Sequence, residues 1–144
     1  TEGDWSSDVC SSDLVAFTTC PLCTQALADE LGKEGAGVVV SQVMPTPYTN
    51  AKGISREFIE MVRKSNGAVS ANFSSMEGYV AAKVMAEGLR RSSAKGGRDG
   101  LIAGLESISN QSFGGFNVHF SPTDHVASSF VELSMLTGDG RVRT

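Results

Sequence analysis

From Val15 to Val43, roughly thirty residues, this chain passes through an apolar strand, a helix and a second apolar strand. VAFTT (15–19) is a short β-prone run. TQALADELGKEG (24–35) places Leu27 and Leu31 one turn apart, with the Thr24 hydroxyl positioned to cap the first turn and Gly32 or Gly35 to end the helix. Val38 to Val40 and Val43 form a continuous apolar stretch of the kind buried on both faces of a parallel sheet. Two strands separated by a helix lie parallel, with a right-handed crossover, and so the chain is expected to fold as an α/β protein.

The remainder is read by its changes of period. Pro45 and Pro47 in MPTPYTN stop regular structure, and ISREFIEMVRKSNG resumes as an amphipathic helix with Phe58, Ile59 and Val62 on one side and Gly67 at its end. In FSSMEGYVAAKVMAEGLRRSS, Ser74 and Glu77 have the S-x-x-E spacing of a capping box, and Met76, Tyr79, Val80, Val84 and Leu89 follow at helical intervals. GGRDGLIAGLESIS is a further helix, opening near Arg98 and Asp99 and carrying Leu101, Ile102, Leu105 and Ile108. After Gly114-Gly115 the period becomes two: Phe116, Val118 and Phe120 alternate with Asn117 and His119. The SPTDH turn leads to a strand from Phe130 to Leu136, which Gly138-Asp139-Gly140 turns back.

One stretch fits none of this. DWSSDVCSSDL, from Asp4 to Leu14, lacks the basic start and apolar run of a secretory signal and has no structural period. Translated back codon by codon, it resembles an adapter oligonucleotide used in short-read DNA sequencing. Residues 1–14 are therefore expected to be non-native, with the biological sequence starting near Val15 inside a longer gene. Removing the acids of the Asp4–Leu14 stretch, Asp4, Asp8 and Asp13, from the 16 leaves 13 against 12 bases, a net charge of −1 in place of −4, and setting aside Glu2 as well brings it to zero. This near-neutral balance gives no electrostatic argument for nucleic acid. No apolar run approaches the roughly 20 residues of a membrane span, so direct membrane insertion is not expected.

Few residues invite chemistry. Cys20 and Cys23 form CPLC between a strand and a helix start, which is how thiol–disulfide oxidoreductases lower the pKa of a nucleophilic thiol. That fold, however, needs an antiparallel hairpin soon afterwards, and two long helices intervene. Cys20, Cys23, His119 and His125 lack zinc-finger spacing, so no metal is expected. His125 reads as closing a turn, and Glu77 as a cap. Phe73 and Tyr79, flanking a helix start, either fill the core or line a cleft. No paired carboxylates, Ser/His/Asp set or glycine-rich phosphate loop appears, so neither enzymatic activity nor a cofactor is expected.

In order, TQALADELG, EGAGVVVSQVMPTP, FSSMEGYVAAKVMAEGLRR, RDGLIAGLESI, FGGFNVHFSPTDHVASSFVEL and DGRV resemble the C-terminal part of the periplasmic substrate-binding proteins of branched-chain amino acid-type ABC transporters. The resemblance implies a partial type I periplasmic-binding-protein fold: parts of two Rossmann-like lobes, with parallel sheets flanked by helices and the ligand in the cleft between them. Residues 15–50 would belong to the second lobe and a hinge crossing, 51–115 to helices of the first lobe, and 116–144 to a crossing and the last strands of the second lobe. It implies ligand contacts from Thr19, Cys20, Phe73, Ser74 and Met76, and a hinge at Val43, Met44, Pro45, Gly115 and Phe116. The loop before TQALADELG departs from the family, which tends to have a Ser-Phe-Val-Gly-like sequence where this chain has Thr-Thr-Cys-Pro-Leu-Cys. The implied partners are a small ligand, an amino acid or amide-like molecule, and the permease subunits of an ABC importer. The implied location is periplasmic or extracytoplasmic, with a signal peptide upstream. A sensor domain of the same fold and a thiol–disulfide oxidoreductase using CPLC are the alternatives.

Overall fold

The computed structural model describes residues 17–18, 24–93 and 96–144. Strand β1 (Phe17–Thr18) is followed by helix α1 (Thr24–Leu31), which tightens into a single 3-10 turn over Gly32–Gly35, and by β2 (Val39–Gln42). β1 and β2 pair in parallel, Phe17 opposite Val39, so the expected β-α-β unit is present. Three helices follow: α2 (Gly53–Lys64), α3 (Phe73–Arg91) and α4 (Gly97–Glu106). Strands β3 (Gln111–Phe113) and β4 (Phe116–Val118) make an antiparallel hairpin, and β5 (Glu132–Leu136) and β6 (Val142–Arg143) complete the chain. The larger sheet has the order β1-β2-β5-β6.

Within this α/β architecture the larger sheet is mixed, because β5 returns antiparallel to β2 and β6 turns back on β5. That pairing changes how β2 is buried. The continuous apolar stretch expected from Val38 to Val43 is an alternating strand. Val40 and Gln42 face inward, and Val43 lies beyond the strand with 42% of its surface exposed. The inner face packs on α1: Val40 and Leu136 bury against Ala28, with Leu27, Val38 and Val142 around them.

A second core gathers Ile54 and Phe58 from α2, Met76, Val80 and Val84 from α3, and Ile108, Phe113, Phe116 and Val118 around the hairpin. Each fully buried side chain of this size is worth about 1.5–3 kcal/mol. The hairpin was not expected in full, since β3 is only three residues, QSF, with a single buried side chain. Its turn is Gly114-Gly115, both at positive φ, as a two-residue hairpin loop requires. A Cβ on Gly114 would stand 2.4 Å from the backbone nitrogen of Ile54, which itself donates to the Gly114 carbonyl at 2.9 Å. The hairpin tip is thereby pinned to the start of α2.

Three further expectations shift in register. The capping box of α3 is Asn72 with Ser75, two residues before the expected Ser74 with Glu77. The Asn72 side chain accepts from the Ser75 N–H at 2.8 Å, and the Ser75 hydroxyl accepts from the Asn72 N–H at 3.1 Å. Starting the helix there buries Phe73 and Met76 together. Leu89 and Ile102, which fall at the helical intervals of the apolar pattern, are exposed, and α3 and α4 meet at Gly88 and Gly104. The last long strand starts at Glu132 rather than Phe130.

Candidate functional site

The two cores are joined by the segments 43–52 and 119–131, which leave the larger sheet side by side, since Gln42 lies directly opposite Glu132. In open α/β sheets ligands bind outside the carboxyl ends of the strands, which here is the end of β2 where these segments depart. The N-terminus of α1 lies at that end. Thr24 is buried, and its hydroxyl accepts from Gln42 Nε2 at 2.8 Å. The second Nε2 hydrogen goes to Ser134 Oγ at 2.9 Å, and that hydroxyl donates to the Val40 carbonyl at 3.3 Å. Among the described residues, Gln42 Oε1 and Glu132 Oε2 are buried without a hydrogen-bond partner.

Tyr48 connects this end of the sheet to the other core. The segment leading to it is held in place by Pro45, Thr46 and Pro47, all buried. Its hydroxyl donates to Gln25 Oε1, in the first turn of α1, at 3.4 Å. Its ring meets that of Phe73, in the first turn of α3, at 5.7 Å and 88°, an edge-to-face contact. Burial, and secondarily the Asp29 carboxylate, push the Tyr48 hydroxyl above its ordinary pKa, so it stays a neutral donor throughout the physiological range. Gln25 is oriented in turn by Asp29, to which its amide donates at 2.9 Å. One tyrosine therefore brings together the starts of two helices that belong to different cores.

The residues expected at the ligand are distributed as follows. Thr19 and Cys20 lie outside the described residues, as do Cys23, the CPLC sequence and residues 1–14. Phe73 is buried beneath Tyr48, Ser74 is exposed on the first turn of α3, and Met76 points into the helical core. Of the expected hinge, Val43, Met44 and Pro45 do lead out of β2. Gly115 and Phe116 instead occupy the turn and second strand of the hairpin, and the return path runs through 119–131. Val43, Met44 and Phe116 share the wall of an apolar cavity of about 450 Å³ with Val80, Val84 and Phe120. His125 does not close its turn. The Ser121–Asp124 bridge does that, and the imidazole reaches Glu106 at 3.1 Å from a largely exposed position. Tyr79 lies against Phe58, which resolves it as packing. Tyr48, Gln42 and Glu132 were not expected. Loop residues and the polar ends of strands carry no periodic signal, although the buried prolines on either side of Thr46 mark the Tyr48 segment as fixed.

Among the described residues no cluster of His, Cys, Asp and Glu could hold a metal ion, and no helix is long and apolar enough to cross a membrane. No protein-family model matches the sequence, and comparison with curated proteins gave no significant match. Solved structures do match. One is described as a possible leucine/isoleucine/valine-binding protein from Rhodopirellula baltica, 26% identical, with a TM-score of 0.76, covering 83% of this chain and 32% of that one. A substrate-binding periplasmic protein from Ralstonia solanacearum is 30% identical, with a TM-score of 0.73, covering 83% and 35%. A third, from Rhodospirillum rubrum, is provisionally described as a branched-chain amino acid ABC transporter. It is 18% identical with a TM-score of 0.65, and it supports the fold alone. The chain spans about a third of the length of the structures it matches, and its architecture is that part of the type I periplasmic-binding-protein fold.

Proposed function

We propose that this chain, carrying part of the type I periplasmic-binding-protein fold, is the C-terminal portion of an extracytoplasmic solute-binding protein of an ABC importer. Its ligand is a branched-chain amino acid or a related small polar molecule. The observation that carries the reading is Tyr48, which brings the start of α1 and the start of α3 together across two cores, beside the carboxyl end of β2. Two helix N-termini suit a ligand carboxylate, to which the Tyr48 hydroxyl can turn its one hydrogen from Gln25 Oε1, and the Tyr48 ring, backed by Phe73, suits an aliphatic side chain. In this reading Phe73 and Ser74 form one wall and Thr19 and Cys20 the other, while Met76 backs Phe73 from the core. Val43, Met44 and Pro45, together with 119–131, form the hinge. Closure around the ligand then creates the surface that the permease subunits recognise. The likeness to a leucine/isoleucine/valine-binding protein and to a periplasmic substrate-binding protein supports this role.

Thermal unfolding of the complete protein with L-leucine, L-isoleucine and L-valine is the test. A ligand at a hundred times its Kd stabilises the folded state by about 2.7 kcal/mol. At least one of the three should raise Tm in a concentration-dependent way, and Tyr48→Ala should reduce that rise without abolishing folding. No shift with these or any other small amino acid would overturn the proposal.

A further inference from the structure

Of the asparagines in this chain, Asn66 is followed by a glycine, whereas Asn50, Asn72, Asn110 and Asn117 are followed by Ala51, Phe73, Gln111 and Val118. Asn66 and Gly67 lie in the turn after α2, with φ of 51° and 87°, and both are exposed. Among the described residues the Gly67 N–H has no acceptor and the Asn66 side chain no hydrogen-bond partner, and nothing stands within 4 Å of the position a Gly67 Cβ would take. The turn is closed by its neighbours: the Asn66 N–H reaches the Arg63 carbonyl at 3.5 Å, and the Ala68 N–H donates to the Ser65 carbonyl at 3.0 Å. Two aspartates in the described residues also precede glycine, and there the following nitrogen is engaged. After Asp99, in the first turn of α4, the Gly100 N–H donates to the Gly96 carbonyl at 2.8 Å. After Asp139, the Gly140 N–H donates to the Thr137 carbonyl at 3.0 Å. The Thr137 hydroxyl, and to a lesser degree Arg141, also hold the Asp139 carboxyl below its ordinary pKa, in the ionised form that does not cyclise.

We propose that Asn66–Gly67 is a site of spontaneous deamidation in the folded protein. The Gly67 amide gives its proton to hydroxide, and its nitrogen bonds to Asn66 Cγ. The Cγ–Nδ2 bond breaks, and the departing nitrogen takes a proton from water and leaves as ammonia. Water then adds to one carbonyl of the five-membered imide and opens it to aspartate or to a β-linked aspartate, so that one water is consumed and one ammonia released. Glycine permits the closure because it sets no Cβ against the approaching side chain and leaves φ free to follow it. A nitrogen whose N–H is already bonded reacts only from an opened state, which protects Asp99 and Asp139 and not Asn66. Either product puts a carboxylate in place of a neutral amide at the C-terminal end of α2, where the helix dipole disfavours it. The reaction needs no ligand and is independent of the solute-binding role.

Incubation of the complete protein at mildly alkaline pH, folded and in denaturant, tests this by mass spectrometry of tryptic peptides. The peptide 65–83, between the cleavage sites at Lys64 and Lys83, should gain the mass that separates OH from NH2. Its rate in the folded protein should lie within about tenfold of the denatured rate, an opening cost of at most about 1.4 kcal/mol. β-Linked aspartate at 99 and 139, read by enzymatic methylation of its free α-carboxylate, should be suppressed by folding more strongly than that. Asn66→Gln, whose longer side chain has to close a six-membered ring, should abolish the mass gain and leave the circular dichroism unchanged. A peptide 65–83 that reacts in denaturant and stays intact in the folded protein would overturn the proposal, as would equal suppression at all three positions. A mass gain that persists in Asn66→Gln would overturn it too, by placing the reaction at Asn72.

Discussion

At the scale of single residues, the most informative positions are polar ones that no periodicity announces. Gln42 occupies an inward site of β2 where the sequence suggested a wholly apolar strand, and it fits because Thr24 and Ser134 accept both of its amide hydrogens. The cost is left with its oxygen and with Glu132 Oε2 opposite, two buried acceptors with no donor among the described residues. A buried acceptor left unpaired costs about 1–3 kcal/mol. Glu132→Gln places an amide, with two hydrogens to donate, where the carboxylate oxygen was. It should therefore raise stability by about 1 kcal/mol, read as a higher denaturation midpoint at constant m-value. An unchanged or lower midpoint would mean that the two side chains do not meet. The same blindness explains Tyr48, whose role comes from contacts with residues 23 and 25 positions away, whereas the pattern of Met76, Val80 and Val84 was legible because each side chain answers to its own helix period.

At the scale of elements, the helices and their order were legible and their contact faces only in part. Leu89 and Ile102 look like core residues on a helical wheel, but both are exposed, and α3 and α4 meet instead where Leu101 and Leu105 close over Gly88. The reason is the glycine pair. A Cβ on Gly104 would stand 2.4 Å from the Gly88 carbonyl oxygen, backbone that cannot move aside. A Cβ on Gly88 would stand 2.4 Å from Leu105 Cδ2, the end of a flexible side chain. Both substitutions to alanine gain up to about 1 kcal/mol of helix propensity, so the packing term decides the sign. Gly104→Ala should be destabilising by about 1–3 kcal/mol, the usual cost of overpacking, and Gly88→Ala should cost clearly less. Chemical denaturation of the two variants side by side checks the order, and equal costs would show that the helices slide apart freely. The α3 start was misplaced for a related reason. N-x-x-S and S-x-x-E overlap in ANFSSMEG, and the earlier box prevails because it buries Phe73 and Met76 on one face.

For the molecule as a whole, the two cores differ in how completely they are covered. The larger sheet has α1 on one face, while its other face presents a row from β5 and the residue before it: Val131, Leu133 and Met135, at 64%, 58% and 48% exposure. They alternate with Glu132, Ser134 and Leu136, which face α1, so that β5 turns its more apolar face away from the helix. A row of this kind is a surface on which apolar side chains meet water without compensation, and such surfaces associate. The 144-residue chain by itself should therefore bind a hydrophobic dye such as ANS and self-associate as its concentration rises. Leu133→Lys combined with Met135→Lys should suppress both effects while leaving the far-ultraviolet circular dichroism unchanged, because neither side chain contributes to a core. In the complete protein the same double substitution should instead lower stability, if this face is covered there as in two-sided α/β sheets. Sedimentation velocity and dye titration on the chain alone, with thermal unfolding of the complete protein, separate these cases. A monodisperse chain that binds no dye would show that the row is innocuous, and an unaffected complete protein would show that nothing packs on it.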